Sequence, residues 1–192
     1  TAYKTLSFTK DAAYCENAAN TGAVPNGTGF VGSPYQICTA EQFENTFNSP
    51  NNASYFELRN DIDLSTEPTL KGRFASGGND FTGSLNGNFF VINNYSGDQA
   101  MIKSVTGAGV IRDIKLRNVN VTIAPATKFA VFIERFHGTT FTGVSAVGSL
   151  SVPDINSYEF SGVLVGWTTK PISDSWVRME VSLAPQSNFH YF

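Results

Sequence analysis

Charge is what this chain has least of. Of its 192 residues only 13 are Lys or Arg and 16 are Asp or Glu, for a net charge of −3. No basic cluster gathers anywhere. The phosphate-neutralising term that drives nucleic-acid binding is therefore missing, and no nucleic-acid partner is expected. Only two histidines, His137 and His190, are present, and no CxxC pair, so no metal site and no cofactor is expected. The Gly77-Gly78 pair lacks the lysine and the following helix of a phosphate-binding loop. No apolar run reaches membrane-spanning length, and membrane insertion is not expected. No signal peptide opens the chain, and Thr1 reads as a processed start, which leaves secretion open.

What is plentiful is Phe (16), Gly (17) and, by count, Asn (17). Such a composition fits a β-protein with many turns, because Gly and Asn tolerate left-handed backbone angles. The two cysteines, Cys15 and Cys38, lie close together near the N-terminus. A disulfide between them is the preferred reading, with a zinc site or free thiols as the alternatives. Chain-entropy reasoning gives the loop it closes about 3 kcal/mol. A staple leans towards an oxidising compartment.

One phrase occurs three times. It runs through Met101–Leu116, again through Val131–Ala146, and again through Leu164–Val177. Stacking the three aligns apolar columns Ile111/Phe141/Ile172, Leu116/Ala146/Val177, Val119/Leu150/Val181 and Val121/Val152/Leu183. A fixed period of this kind, built from short β-like runs and Gly turns, predicts coils stacked along an axis. The predicted fold is all-β, a short right-handed parallel β-helix with an N-terminal cap containing a short helix. Residues 1–34 read as an irregular lead-in, 35–184 as the capped β-helix and 185–192 as an aromatic tail. The cap helix is placed at Thr39–Phe47, with Thr39 as its N-cap and Phe43 and Phe47 on one face. Strand-like alternation follows in Tyr55–Leu58 and Ile62–Leu64, and Asn86-Gly87 marks a turn between two β-runs. The spacing of Ile92 and Tyr95 matches that of Ile111 and Ile114, so the ladder is expected to begin there.

Several segments carry a family resemblance. They are Pro34–Phe43, Asn60–Leu64, Phe81–Asn88 and, best preserved, Gly162-Val163-Leu164-Val165-Gly166-Trp167. Across residues 33–183 the chain resembles bacterial surface proteins that carry the GLUG repeat. The resemblance implies a right-handed parallel β-helix, a secreted or outer-surface location, and adhesive or binding roles. It brings no catalytic motif. In the middle repeat Glu134-Arg135-Phe136-His137 replaces the small residues expected there, and Asn188-Phe189-His190-Tyr191-Phe192 follows the last strand. Both are candidates for local adaptation to function.

Trp176 precedes the inward Val177, so alternation points its indole outward, in the column of Lys115 and Ser145. An exposed indole on a flat sheet offers a face to a sugar ring; burial under the tail is the alternative. Trp167, beside Gly166, reads as packing at a coil corner. Arg135, Phe136 and His137 read as a recognition loop, against the plainer reading of an exposed loop histidine. His190 and Tyr191 belong to a tail that either closes the last coil or packs against sister chains, the latter giving a homotrimer. Asp61 and Asp63 project from one outer face, where a carboxylate pair suits a polysaccharide-cleaving enzyme, a calcium ion or a merely solvated strand. The expected function is a non-catalytic surface adhesin or recognition module, a candidate fibre tip, that binds a cell-envelope glycan or a surface protein. A polysaccharide-degrading β-helix enzyme and a structural spacer are the alternatives.

Overall fold

A computed structural model describes residues 13–48, 52–65, 80–123, 128–152 and 160–183. They form a parallel β-solenoid of about three turns, with two short α-helices near the N-terminus. Sheet I stacks Tyr35–Ile37, Tyr55–Leu58, Ser84–Asn86, Val110–Arg112 and Thr140–Thr142. Sheet II stacks Ile102–Val105, Ile133–Phe136 and Val165–Thr168. Sheet III stacks Ile62–Asp63, Val91–Asn93, Lys115–Thr122, Ser145–Val152 and Trp176–Leu183, and Ser96–Gly97 also pairs with Lys115–Thr122. A further ladder joins Lys128–Phe129 to Phe160–Ser161.

The repeat sets the stacking. Ile111 pairs with Phe141 and Thr142 bridges Ser173, while Leu116, Ala146 and Val177 share one register column. At the corner between sheets I and III the equivalent residues Asp113, Gly143 and Asp174 all take left-handed φ of 57°, 66° and 48°. Asp and Gly accept that region at little cost. A Cβ on Gly143 would lie 2.6 Å from Asp113 Oδ1, so the middle member of this column has to be small. The Asn86-Gly87 turn serves the same corner one coil earlier, through left-handed Asn88 and Phe89.

Two of the four predicted columns are displaced. Leu116 does pair with Ala146, but Val119 then pairs with Gly148 and Val121 with Leu150. Arg117 and Asn118 together face the single residue Val147, a β-bulge with Asn118 at φ 51°. The columns are therefore Val119/Gly148/Met179 and Val121/Leu150/Val181, and Val152 pairs with Leu183. The extra residue has a purpose. Strict alternation from Leu116 would turn Val119 and Val121 outward, and the bulge resets the phase so that both are buried. Gly148 accommodates the close approach, since a Cβ there would sit 2.0 Å from the Val119 carbonyl oxygen. The stack also begins earlier than expected, at Tyr35, and Ile92 pairs with Leu116 rather than Ile111.

The core is a continuous apolar column down the axis. Phe56, Leu85, Ile111 and Phe141 succeed one another in register on sheet I, all buried. Tyr35 stacks on Phe56 at 5.5 Å, and Phe136 meets Phe141 edge-on at 5.3 Å. Burying each large side chain is worth about 2–3 kcal/mol.

The helix Ala40–Asn48 lies over the first coil, one residue from its predicted start. Thr39 is its N-cap, with Oγ1 accepting from the Gln42 N–H at 3.1 Å. Phe43 is wholly buried in the core; the side chain of Phe47 lies outside the described residues. Gln42 is buried too, and its side chain bonds to backbone. Its Oε1 accepts from Cys38 N–H, and its Nε2 donates to the carbonyls of Asn20 and Gly22. Cys15 and Cys38 form the expected disulfide, closing a separation of 23 residues. Staple, glutamine and helix thus fasten the described part of the lead-in to the first coil.

Candidate functional site

The outer face of sheet III carries Lys115, Ser145 and Trp176 in one register column, as alternation predicts. The Trp176 residue is 52% exposed, while Ser145 paired with it is buried. The bulge at Arg117-Asn118 places a guanidinium here. Arg117 Nη1 donates to the Leu116 carbonyl at 2.7 Å and to Ser145 Oγ at 3.2 Å. Its Cζ lies 5.4 Å from the centre of the Trp176 ring. A cation in that position is drawn to the negative face of the indole. The guanidinium is held by two hydrogen bonds and in turn steadies the tryptophan. The arrangement presents a preset aromatic plane with a positive charge beside it. No signal in the sequence paired Arg117 with Trp176, because the pairing spans two coils and depends on the bulge.

The second predicted contact region is not a loop. Arg135 and Phe136 belong to the strand Ile133–Phe136 of sheet II. Phe136 has no exposed surface and is packed against Phe141, so it is a core residue and not a ligand contact. The apolar ring follows the interior, whereas its polar neighbours Glu134, Arg135 and His137 remain part-exposed. Arg135 Nε lies 3.9 Å from Glu134 Oε1. His137 meets Trp167 edge-on, ring centres 4.4 Å apart, and its Nδ1 lies 3.1 Å from Thr169 Oγ1. Trp167 packs against His137, but it sits within the strand Val165–Thr168, in register with Arg135 and 36% exposed, rather than at a coil corner. His190 and Tyr191 lie outside the described residues.

Asp61 and Asp63 are occupied structurally. Asp61 Oδ1 accepts from the Val91 N–H at 2.8 Å, one coil on. Asp63 Oδ1 accepts from Asn94 Nδ2 at 2.7 Å and from the Ser65 N–H at 2.9 Å. These bonds, that from Asn94 foremost and then those from Ser65, hold the exposed Asp63 carboxyl below its ordinary 3.8. Among the described residues no three His, Cys, Asp or Glu converge as metal ligands. Nor is any described helix long and apolar enough to cross a membrane. The run Gly27–Gly32 has the letters of a dinucleotide fingerprint, but it folds as a tight loop with Ser33 N–H on the Phe30 carbonyl, and a strand follows it where the fingerprint needs a helix.

Scans against protein-family models, curated proteins and solved structures each return no match for this chain.

Proposed function

We propose that the chain is a non-catalytic recognition module, secreted or displayed on an outer cell surface, that binds a glycan through the Trp176 platform of sheet III. The observation that carries this reading is the half-exposed indole, held by Arg117 on the outer face of a stacked sheet. A sugar ring can lay its C–H face on such an indole, and the neighbouring guanidinium and Lys115 would favour hydroxyl-rich or acidic units. Because the groups stand on a rigid solenoid, little ordering entropy is lost on contact. The disulfide fits an oxidising, extracellular setting. The resemblance of residues 33–183 to GLUG-repeat surface proteins supports the same location and an adhesive role.

The alternatives have less to stand on. A spacer whose tryptophans only pack would bury them, and both Trp167 and Trp176 reach solvent. A polysaccharide-cleaving enzyme built on Asp61 and Asp63 would need carboxylates free to act, and these two already accept backbone and amide donors. Glycan-array binding of the parent and of Trp176→Ala tests the proposal. Selective binding by the parent, weakened about tenfold or more in the variant, is the expected result. Equal binding by both would remove Trp176 from the site, and shortened glycans recovered from the array would point to an enzyme.

A further inference from the structure

The last strand, Trp176–Leu183, pairs with Ser145–Val152 on one side, and no described strand pairs with its other edge. Its core-facing column is partly in solvent: Val177 is 40%, Val181 44% and Leu183 43% exposed, while Met179 among them is part-buried against the core. A long unpaired edge with an apolar face is a template for another strand. The only charges on it are Arg178 and Glu180, of opposite sign, on either side of Met179.

We propose that this edge pairs antiparallel with the same edge of a second copy of the chain, about a two-fold axis passing through Met179. In that register Arg178 faces Glu180 of the second copy, twice over by symmetry, and Val177 faces Val181 of the second copy, also twice. The neighbouring registers fail on simple grounds. An axis through Arg178 sets Arg178 against itself, and an axis through Glu180 sets Glu180 against itself; like charges directly opposite are destabilising. An axis between two residues puts apolar side chains opposite polar ones, because side chains change face at every residue. Of the in-phase registers, only those about Met179 and Glu180 pair seven residues of the strand, and the charge pattern selects the first, a self-complementary pairing as an isologous interface requires. Pairing in this register continues sheet III from one copy into the next. It places the two Trp176 side chains on a common outer face, roughly 20 Å apart along the strands. The pairing does not depend on what Trp176 binds.

Sedimentation equilibrium on the whole 192-residue chain tests this, with Arg178→Glu, Glu180→Arg and the double reversal beside the parent. The parent is expected to form a concentration-dependent dimer. Each single reversal turns both symmetry-related pairs into like-charge pairs and should weaken dimerisation about tenfold. The double reversal should restore it. A second readout needs no charge change: Met179→Cys, opposite its own copy on the axis, should cross-link on mild oxidation, whereas Ser182→Cys, opposite Trp176, should not. A parent that stays monomeric at all concentrations, or forms a trimer, overturns the proposal. So do single reversals without effect, or a double reversal as weak as the singles. Loss of the dimer on deleting Asn188–Phe192, with circular dichroism unchanged, would assign the contact to the tail and equally overturn it.

Discussion

The two ends of the solenoid are finished differently. At the first coil a helix, a staple and a buried glutamine cover the stack, and Phe43 is as deeply buried as any residue in the molecule. At the last coil the inward column Ile172, Val177, Val181 and Leu183 is two-fifths exposed or more. Both ends face the same physical problem, since a stack of coils must end in unpaired backbone and half-covered apolar side chains. One end solves it with residues of the same chain. At the other, no described strand covers the edge of Trp176–Leu183, which is long, apolar on one face and charged in a self-complementary pattern on the other. A covered end stabilises the fold, whereas an edge that no described strand pairs with can serve association.

The sharpest way to break this contrast is to truncate an apolar residue at each end. Phe43→Ala should cost about 4 kcal/mol, because it empties a closed core site. Val181→Ala, on the open column, should cost less than about 1 kcal/mol. Chemical denaturation measures both; a cost of about 2 kcal/mol or more for Val181→Ala, that of a fully buried valine, would mean that the last coil is as well covered as the first.

A smaller effect is expected inside the stack, at the bulge that brings Arg117 to Trp176. Asn118→Ala puts a Cβ-bearing residue without a polar side chain at φ 51° and should destabilise by about 1–2 kcal/mol, with Asn118→Gly close to the parent. Both denaturation midpoints and the Trp176 fluorescence report on it. If alanine were neutral, the left-handed bulge would not be the strained point it is taken to be.

How much of this was legible beforehand follows from the same contrast. The coils were readable because their period is written in the sequence as Gly turns and β-runs at a fixed offset. Outward Trp176 was readable because alternation from Val177 needs only one step. The displaced columns were not, because an inserted residue at Arg117-Asn118 carries no glycine to announce it, and counting onward from Leu116 by strict twos goes out of phase. Phe136 was misplaced for a related reason: taken with three polar neighbours it looked like loop, whereas its ring belongs with the interior of sheet II. Gln42 escaped notice because a polar residue in a helix reads as solvent-facing. Its partners Asn20 and Gly22 lie some twenty residues away, and nothing local reveals them.

The smallest predicted effect is a pH dependence at the early coils. The Asp63 carboxyl titrates below its ordinary 3.8 in the folded chain because Asn94 and Ser65 donate to it. A group whose folded value is depressed lends stability that is complete above the unfolded value and fades as pH falls through the folded one. Stability should therefore decline as pH drops below about 4, and Asp63→Asn should flatten that part of the profile. An unchanged slope in the variant would show that Asp63 contributes nothing to it.

The contrast between the ends is tested most directly by native-state hydrogen exchange resolved to single amides, followed over a range of protein concentrations. The amides of Tyr35–Ile37 and Tyr55–Leu58 should exchange only through global unfolding, whatever the concentration. Those of Trp176–Leu183 that point away from Ser145–Val152 should exchange rapidly in dilute protein and gain protection as concentration rises. Full protection of that edge at every dilution would mean that the chain closes its own last coil, and would contradict the account.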